Sequence, residues 1–231
     1  MVLQIIGHTD EKGGCPLKTE DLREKLKVYF IMGSTNCLSD PEETLKQACE
    51  GGITLFQFRE KGTQALKEQQ KLNLGGKLKE ICHQYSVPFI VNDDIDLAVR
   101  LGADGVHIGQ EDEPAEKVRK KIGSGILGVS VHTLEEARAA IEQGADYLGI
   151  GPIYKTTTKE DAKEVQGVQL LTRLREEGIT IPIVGIGGIT ASNAEAVIKA
   201  GADGVSVITA ISQADSAKNA AKQLRESVQP L

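Results

Sequence analysis

Along most of the chain one alternation repeats: a short run rich in Val and Ile, a polar or Gly-containing break, and then a longer stretch whose apolar positions recur at helical spacing. The short runs fall at 28–32, 54–58, 89–91, 105–108, 126–129, 147–150, 183–185 and 204–208. They are near-continuously apolar rather than alternating, the mark of strands buried on both faces. Eight strand-then-helix units in about 200 residues predict an α/β fold, a single TIM (β/α)8 barrel, in preference to a doubly wound open sheet.

Local signals agree with the strand and helix order. Asp40-Pro41-Glu42-Glu43 sets a cap, a first-turn proline and an acidic third position in sequence, and 133–136 and 192–195 both fit a capping box. Glu113-Pro114 is expected to open another helix. LGADGVHIG from Leu101, QGADYLGIG from Gln143 and AGADGVSVI from Ala200 repeat one device, in which Gly ends a helix and Ala-Asp leads directly into a strand. Gly75-Gly76, inside the helical stretch 63–83, has no evident reason in the sequence. Residues 1–26 hold mixed charge, Pro and Gly-Gly without a stable period, so they are assigned to an N-terminal extension and 27–231 to the barrel.

Composition narrows the partners. The chain has 231 residues with 27 Lys plus Arg against 33 Asp plus Glu, a net charge of -6, and its basic residues are scattered rather than gathered into an arm. Nucleic acid and an anionic membrane are therefore not expected partners. Cys15, Cys37, Cys49 and Cys82 show no short paired spacing and read as reduced thiols. With no long apolar run and no ordered leader pattern, the expected location is the cytoplasm.

In a barrel of this kind chemistry gathers where strands end. Gln57, Arg59 and Lys61 share one strand face, alternating with Phe58 and Glu60. Asp93 and Asp112 end adjacent strands and suit a hard cation such as Mg²⁺, with helix capping as the alternative; Asp94 and Glu111 each read better as a cap or a solvent-facing residue. Arg59, Lys61 and Lys159 could converge on a diphosphate, Arg as a planar fork and Lys as a mobile charge. GIGGIT at 185–190, together with Ile208-Thr209, lies after the seventh and eighth strands, where backbone N–H groups commonly receive phosphate in this fold, although the same glycines also suit a plain tight turn. His107 points into the barrel as either a core or a pocket residue, and Ser130 is either a substrate donor or a helix-start residue. His132 is expected to orient a helix start. Two unlike anion sites at one mouth imply two phosphorylated ligands or one bisphosphate. A transfer that releases diphosphate explains the difference between the sites, and a sugar-phosphate isomerase or a non-catalytic binder would be the competing classes.

QFREK at 57–61, VNDD at 91–94, DGVHIGQED at 104–112, GVSVHT at 128–133, GPIYKTTTK at 151–159, IPIVGIGGI at 181–189 and GADGVSVI at 201–208 together resemble the thiamine-phosphate synthase family. The resemblance implies a transferase that joins hydroxymethylpyrimidine diphosphate to thiazole phosphate, giving thiamine phosphate and diphosphate. Carried over motif by motif, it sets the pyrimidine diphosphate against Gln57, Phe58, Arg59, Glu60, Lys61, Asn92, Ser130 and Lys159. It sets Mg²⁺ between Asp93 and Asp112. The thiazole phosphate would meet Thr156, Thr157, Thr158, Gly188, Ile208 and Thr209; the family usually has Ser where this chain has Thr209. Catalytic roles are implied for Arg59, Lys61, Lys159 and Ser130.

Overall fold

The computed structural model describes residues 19–156 and 165–229. Eight parallel strands close into a barrel in chain order: β1 (Val28–Met32), β2 (Leu55–Phe58), β3 (Phe89–Asn92), β4 (Gly105–Ile108), β5 (Ile126–Val131), β6 (Tyr147–Ile150), β7 (Ile183–Ile186) and β8 (Gly204–Val207). The last strand returns to the first, with Val28 opposite Val205. The TIM barrel expected from the sequence is the fold observed.

Helices cover the outside: α1 (Thr19–Leu26) precedes β1, and α2 (Pro41–Gly51), α3 (Glu68–Gln84), α4 (Ile95–Leu101), α5 (Ala115–Ile122) and α6 (Leu134–Glu142) follow the first five strands. After them come α7 (Gln169–Glu176), α8 (Ala194–Lys199), α9 (Thr209–Ser212) and α10 (Ala217–Ser227). Among the described residues, no helix is long and apolar enough to cross a membrane.

Strand alternation divides the core in two. Val28, Phe30 and Met32 face the helices, whereas Tyr29 and Ile31 fill the barrel with Leu55, Ile90, Tyr147 and Val184. In the outer layer Phe30, Phe56, Phe89 and Phe58 form a run of ring contacts with centroids 5.7, 5.9 and 6.3 Å apart. Burying each such ring stabilises the fold by about 1.5–3 kcal/mol. This layer explains Gly75: a Cβ there would lie 2.8 Å from Leu101 Cδ1 and 3.1 Å from Phe58 Cε1, so glycine lets α3 approach the sheet. Gly76 meets nothing closer than 4.0 Å and gains no such reason.

The repeated Gly-Ala-Asp device has a second function that its sequence does not display. Gly102, Gly144 and Gly201 end helices in the left-handed region, with φ of 58°, 91° and 107°. The aspartate that follows reaches sideways to the preceding strand: Asp104 accepts from Phe89 N, Asp146 from Leu127 N and Asp203 from Ile183 N. Arg119 and Arg175 add ion pairs to Asp146 and Asp203, both at the barrel's N-terminal end.

Two sequence expectations change here. Residues 19–26 are not a loose extension but the helix α1, which buries Leu22 and Leu26 against the barrel interior and pairs Arg23 with Asp203. Its short length and high charge left only two apolar positions to signal it. The expected cap at 192–195 is not formed, because Ser192 Oγ pairs with Thr190 Oγ1 and α8 starts two residues later at Ala194. The caps at Asp40 and Thr133 form as expected, accepting from Glu43 N and Glu136 N.

Candidate active site

A cavity of about 590 Å³ opens at the C-terminal mouth of the barrel, within the usual range of roughly 300–1,000 Å³ for small-molecule sites. Six of the eight strand ends supply part of it: Lys61 after β2, Asp112 after β4, Ser130 from β5, Thr156 after β6, Gly188 after β7, and Ile208-Thr209 after β8. Thr157, Thr158 and Lys159 lie outside the described residues.

On the β2–β4 side Asp93 has φ of 58°, a left-handed backbone that non-glycine residues rarely adopt. Its N–H donates to His107 O across to β4, which holds it at the strand end. Asp93 Oδ2 is fully buried and forms an ion pair with Lys61. Burial pushes the Asp93 carboxyl up; Lys61 opposes this and the neighbouring Asp112 carboxylate adds to it. Asp112 also accepts from Gly109 N at 2.7 Å, closing its own loop. Two touching carboxylates, one of them with a buried oxygen at a strand end, fit a divalent cation that takes protein oxygens, water and phosphate. No cluster of three or more His, Cys, Asp or Glu that could hold a metal occurs among the described residues, so a closed zinc-type cage does not fit. Asp94 caps α4 through Leu97 N and pairs with Lys71, as the capping alternative had it.

The QFREK motif divides by face. Gln57 points into the barrel and is 1% exposed. Arg59 is buried at the end of β2, with its N–H donating to Met32 O. Phe58 does not reach the cavity: it faces outward and stacks on Phe89, so the direct substrate contact assigned to it is corrected by strand alternation. Glu60 is occupied as well. It accepts from Ser34 N at 2.8 Å, Ser34 Oγ at 2.6 Å and Leu66 N at 2.8 Å, which ties the loops after β1 and β2 together instead of contacting substrate. Asn92 is half-buried at the last position of β3, opposite His107.

Across the mouth, Gly187 and Gly188 both have positive φ, 101° and 64°. At Gly188 a Cβ would also lie 2.7 Å from Lys155 O and 2.8 Å from Tyr154 Cβ, so the turn needs glycine for space as well as conformation. Asn193 Nδ2 donates to Gly188 O and its Oδ1 accepts from Thr190 N, fixing the turn from behind. Gly188, Ile208 and Thr209 thereby border the cavity opposite Lys61 and Asp112.

Beneath the cavity runs a buried set of polar contacts. Gln57 Nε2 donates to Tyr29 OH at 2.6 Å, and Tyr29 OH lies 2.8 Å from Tyr147 OH. Tyr147 OH is 2.9 Å from His107 Nδ1, and His107 Nε2 is 2.9 Å from Ser130 Oγ. His107 is thus a polar residue beneath the cavity, in contact with Ser130, and Ser130 sits within β5 because pairing with β6 continues through Ser130–Gly149 to Val131–Ile150. Tyr29 and Tyr147 were not singled out from sequence. A signal existed, since each alternates with helix-facing residues and a buried phenol requires a hydrogen-bond partner. His132 also borders the cavity, and Glu136 Oε2 accepts from both its backbone N–H and its Nδ1.

Chemistry placed at the strand ends of a closed parallel barrel puts this protein among the TIM-barrel enzymes. A family model described as thiamine monophosphate synthase matches residues 28–211, and the chain belongs to that family. It is 62% identical over 208 residues to the thiamine-phosphate synthase of Geobacillus kaustophilus, covering 90% of this chain and 94% of the relative. It is 59% identical over 212 residues to that of Geobacillus thermodenitrificans, covering 92% and 96%. Among solved structures, the thiamine phosphate pyrophosphorylase from Pyrococcus furiosus superposes with a TM-score of 0.80 at 38% identity, covering 90% of this chain and 97% of that one.

Proposed function

We propose that the mouth transfers the 4-amino-2-methylpyrimidinylmethyl group from hydroxymethylpyrimidine diphosphate to 4-methyl-5-(2-phosphooxyethyl)thiazole, releasing thiamine phosphate and diphosphate. The observation that carries this reading is the pairing of two unlike anion-receiving walls on one cavity: Lys61 and Asp112 on one side, Gly188 with Ile208-Thr209 on the other. Only a leaving diphosphate calls for cations and a metal, whereas a phosphate that merely anchors its substrate is served by backbone donors.

In this mechanism the bond between the pyrimidine methylene and the diphosphate oxygen breaks first, and its electron pair leaves with the diphosphate. Lys61 and Arg59 offset the charge that develops there, and Lys159 is assigned the same role by its sequence motif. Mg²⁺ held by Asp93 and Asp112 would supply further charge neutralisation to the departing oxygens. Gln57 orients the aminopyrimidine, whose ring supports the cationic methylene, and Ser130 holds the diphosphate without a covalent intermediate. The thiazole nitrogen then donates its lone pair to form the new C–N bond, while Thr156, Gly188 and Thr209 position its phosphate. Thr157 and Thr158 belong to the same polar loop by sequence.

The test supplies both precursors to the purified protein, with and without Mg²⁺, and measures diphosphate and coupled product together. Stoichiometric, Mg²⁺-dependent appearance of both is expected. Folded protein that yields neither would overturn the assignment.

A further inference from the structure

We propose that Tyr29, Tyr147 and His107 are positioning residues: they form a one-way hydrogen-bond chain, started by the Gln57 amide, that makes Ser130 an obligatory donor toward the bound pyrimidine diphosphate. The identity of that ligand rests on the function proposed above; the direction of the chain does not.

The direction follows from counting protons. The Gln57 amide nitrogen can only donate, so Tyr29 OH receives at 2.6 Å. Tyr29 has one proton of its own, and its remaining partner is Tyr147 OH at 2.8 Å. Tyr147 OH, receiving that proton, must pass its own to His107 Nδ1 at 2.9 Å. Nδ1 is therefore the bare nitrogen, and the imidazole proton sits on Nε2, directed at Ser130 Oγ 2.9 Å away. Ser130 receives there, which leaves its hydroxyl proton to point into the cavity it borders. A protonated imidazole does not fit, because Tyr147 would then receive from both sides and its own proton would have no acceptor.

The surroundings preserve this order. Gln57 and Tyr29 are 1% exposed and Tyr147 is fully buried, so water does not compete for their protons. Burial pushes both phenols above the ordinary tyrosine range, which keeps each proton on its oxygen. The space for the chain is cut by glycine: a Cβ at Gly128 would lie 2.1 Å from Tyr147 Cζ and 2.5 Å from His107 Nδ1. The consequence is electrostatic. A hydroxyl that donates stabilises an anion, whereas the same hydroxyl turned to donate to His107 would present lone pairs to it.

The test is the protonation pattern of His107 in the ligand-free, full-length protein labelled with ¹⁵N-histidine, read from two-bond ¹⁵N–¹H correlations and assigned with His107→Gln. A single tautomer with the proton on Nε2 is expected near neutral pH. A proton on Nδ1, or a doubly protonated ring, would overturn the proposal, and neither result depends on which reaction the site performs. Tyr147→Phe should convert His107 into a mixture of tautomers and lower kcat several-fold, because only the fraction that keeps Ser130 as a donor retains its hydrogen bond to the charged group. In that background Ser130→Ala should cost several-fold less than in the parent. Fully additive losses would show that Tyr147 does not act through Ser130. If Tyr147→Phe does not fold, the parent spectrum alone decides the direction.

Discussion

Both ends of this barrel carry aspartates, and the two sets are treated in opposite ways. At the N-terminal end Asp203 accepts from Ile183 N and pairs with Arg175 and Arg23, and Asp146 accepts from Leu127 N and pairs with Arg119. At the C-terminal mouth Asp93 sits in a left-handed backbone against another carboxylate, with its buried oxygen paired to Lys61. The first set closes every partner it can and stabilises the fold. The second sets two carboxylates against each other in a strained backbone, at a cost in stability that the rest of the barrel offsets.

The sharpest way to break this contrast is to neutralise one carboxylate at each end. On the proposed reading, Asp93→Asn or Asp112→Asn should lower kcat/KM by about 10²- to 10³-fold, the scale of losing one electrostatic element of the transition state. Thermal stability should change little, because the like-charge contact that is removed offsets the Lys61 ion pair that Asp93 loses. Asp203→Ala should do the reverse. A stability loss of about 2–4 kcal/mol is expected in denaturant unfolding, since two arginines and a backbone N–H lose their partner, while turnover per folded molecule stays unchanged.

A smaller effect separates wall packing from mouth chemistry. Gly75→Ala would ordinarily gain about 1 kcal/mol of helix propensity. Here the contacts with Leu101 and Phe58 should convert that into a loss of about 1–2 kcal/mol, measurable as a lower denaturant midpoint with activity intact. The smallest effect concerns the wall thiols. Burial pushes the Cys49 thiol up from 9.0 to about 12, with Glu50 adding to it, and Cys37 up to about 11. A folded-state pKa raised in this way contributes stability that is complete below pH 9 and is lost as pH rises toward the folded value. Unfolding free energy should therefore decline above pH 9, and Cys49 should resist alkylation near neutral pH until the protein unfolds.

The fold was legible in the sequence because it rests on repetition: continuous apolar strands, capped helices and three copies of Gly-Ala-Asp all report local geometry. The mouth was legible as far as strand ends can be located, which brought Lys61, Asp93, Asp112 and Gly188 into consideration. What stayed hidden depends on contacts between distant residues. Tyr29 and Tyr147 meet 118 positions apart, and Arg23 reaches Asp203 180 positions away. Phe58 and Glu60 show the limit of carrying a motif over whole: the alternation legible in QFREK already sends Phe58 to the helices, and the loop ties up Glu60.

The central claim, which rests on the proposed function, is that the two mouth aspartates together take a metal with the diphosphate. Calorimetric titration of Mg²⁺ into the protein, with diphosphate present, tests it most directly against the Asp93→Asn and Asp112→Asn variants. Saturable Mg²⁺ uptake by the parent, lost in both folded variants and retained in Asp203→Ala, is the predicted result. Equal uptake by the parent and the two mouth variants would contradict the account.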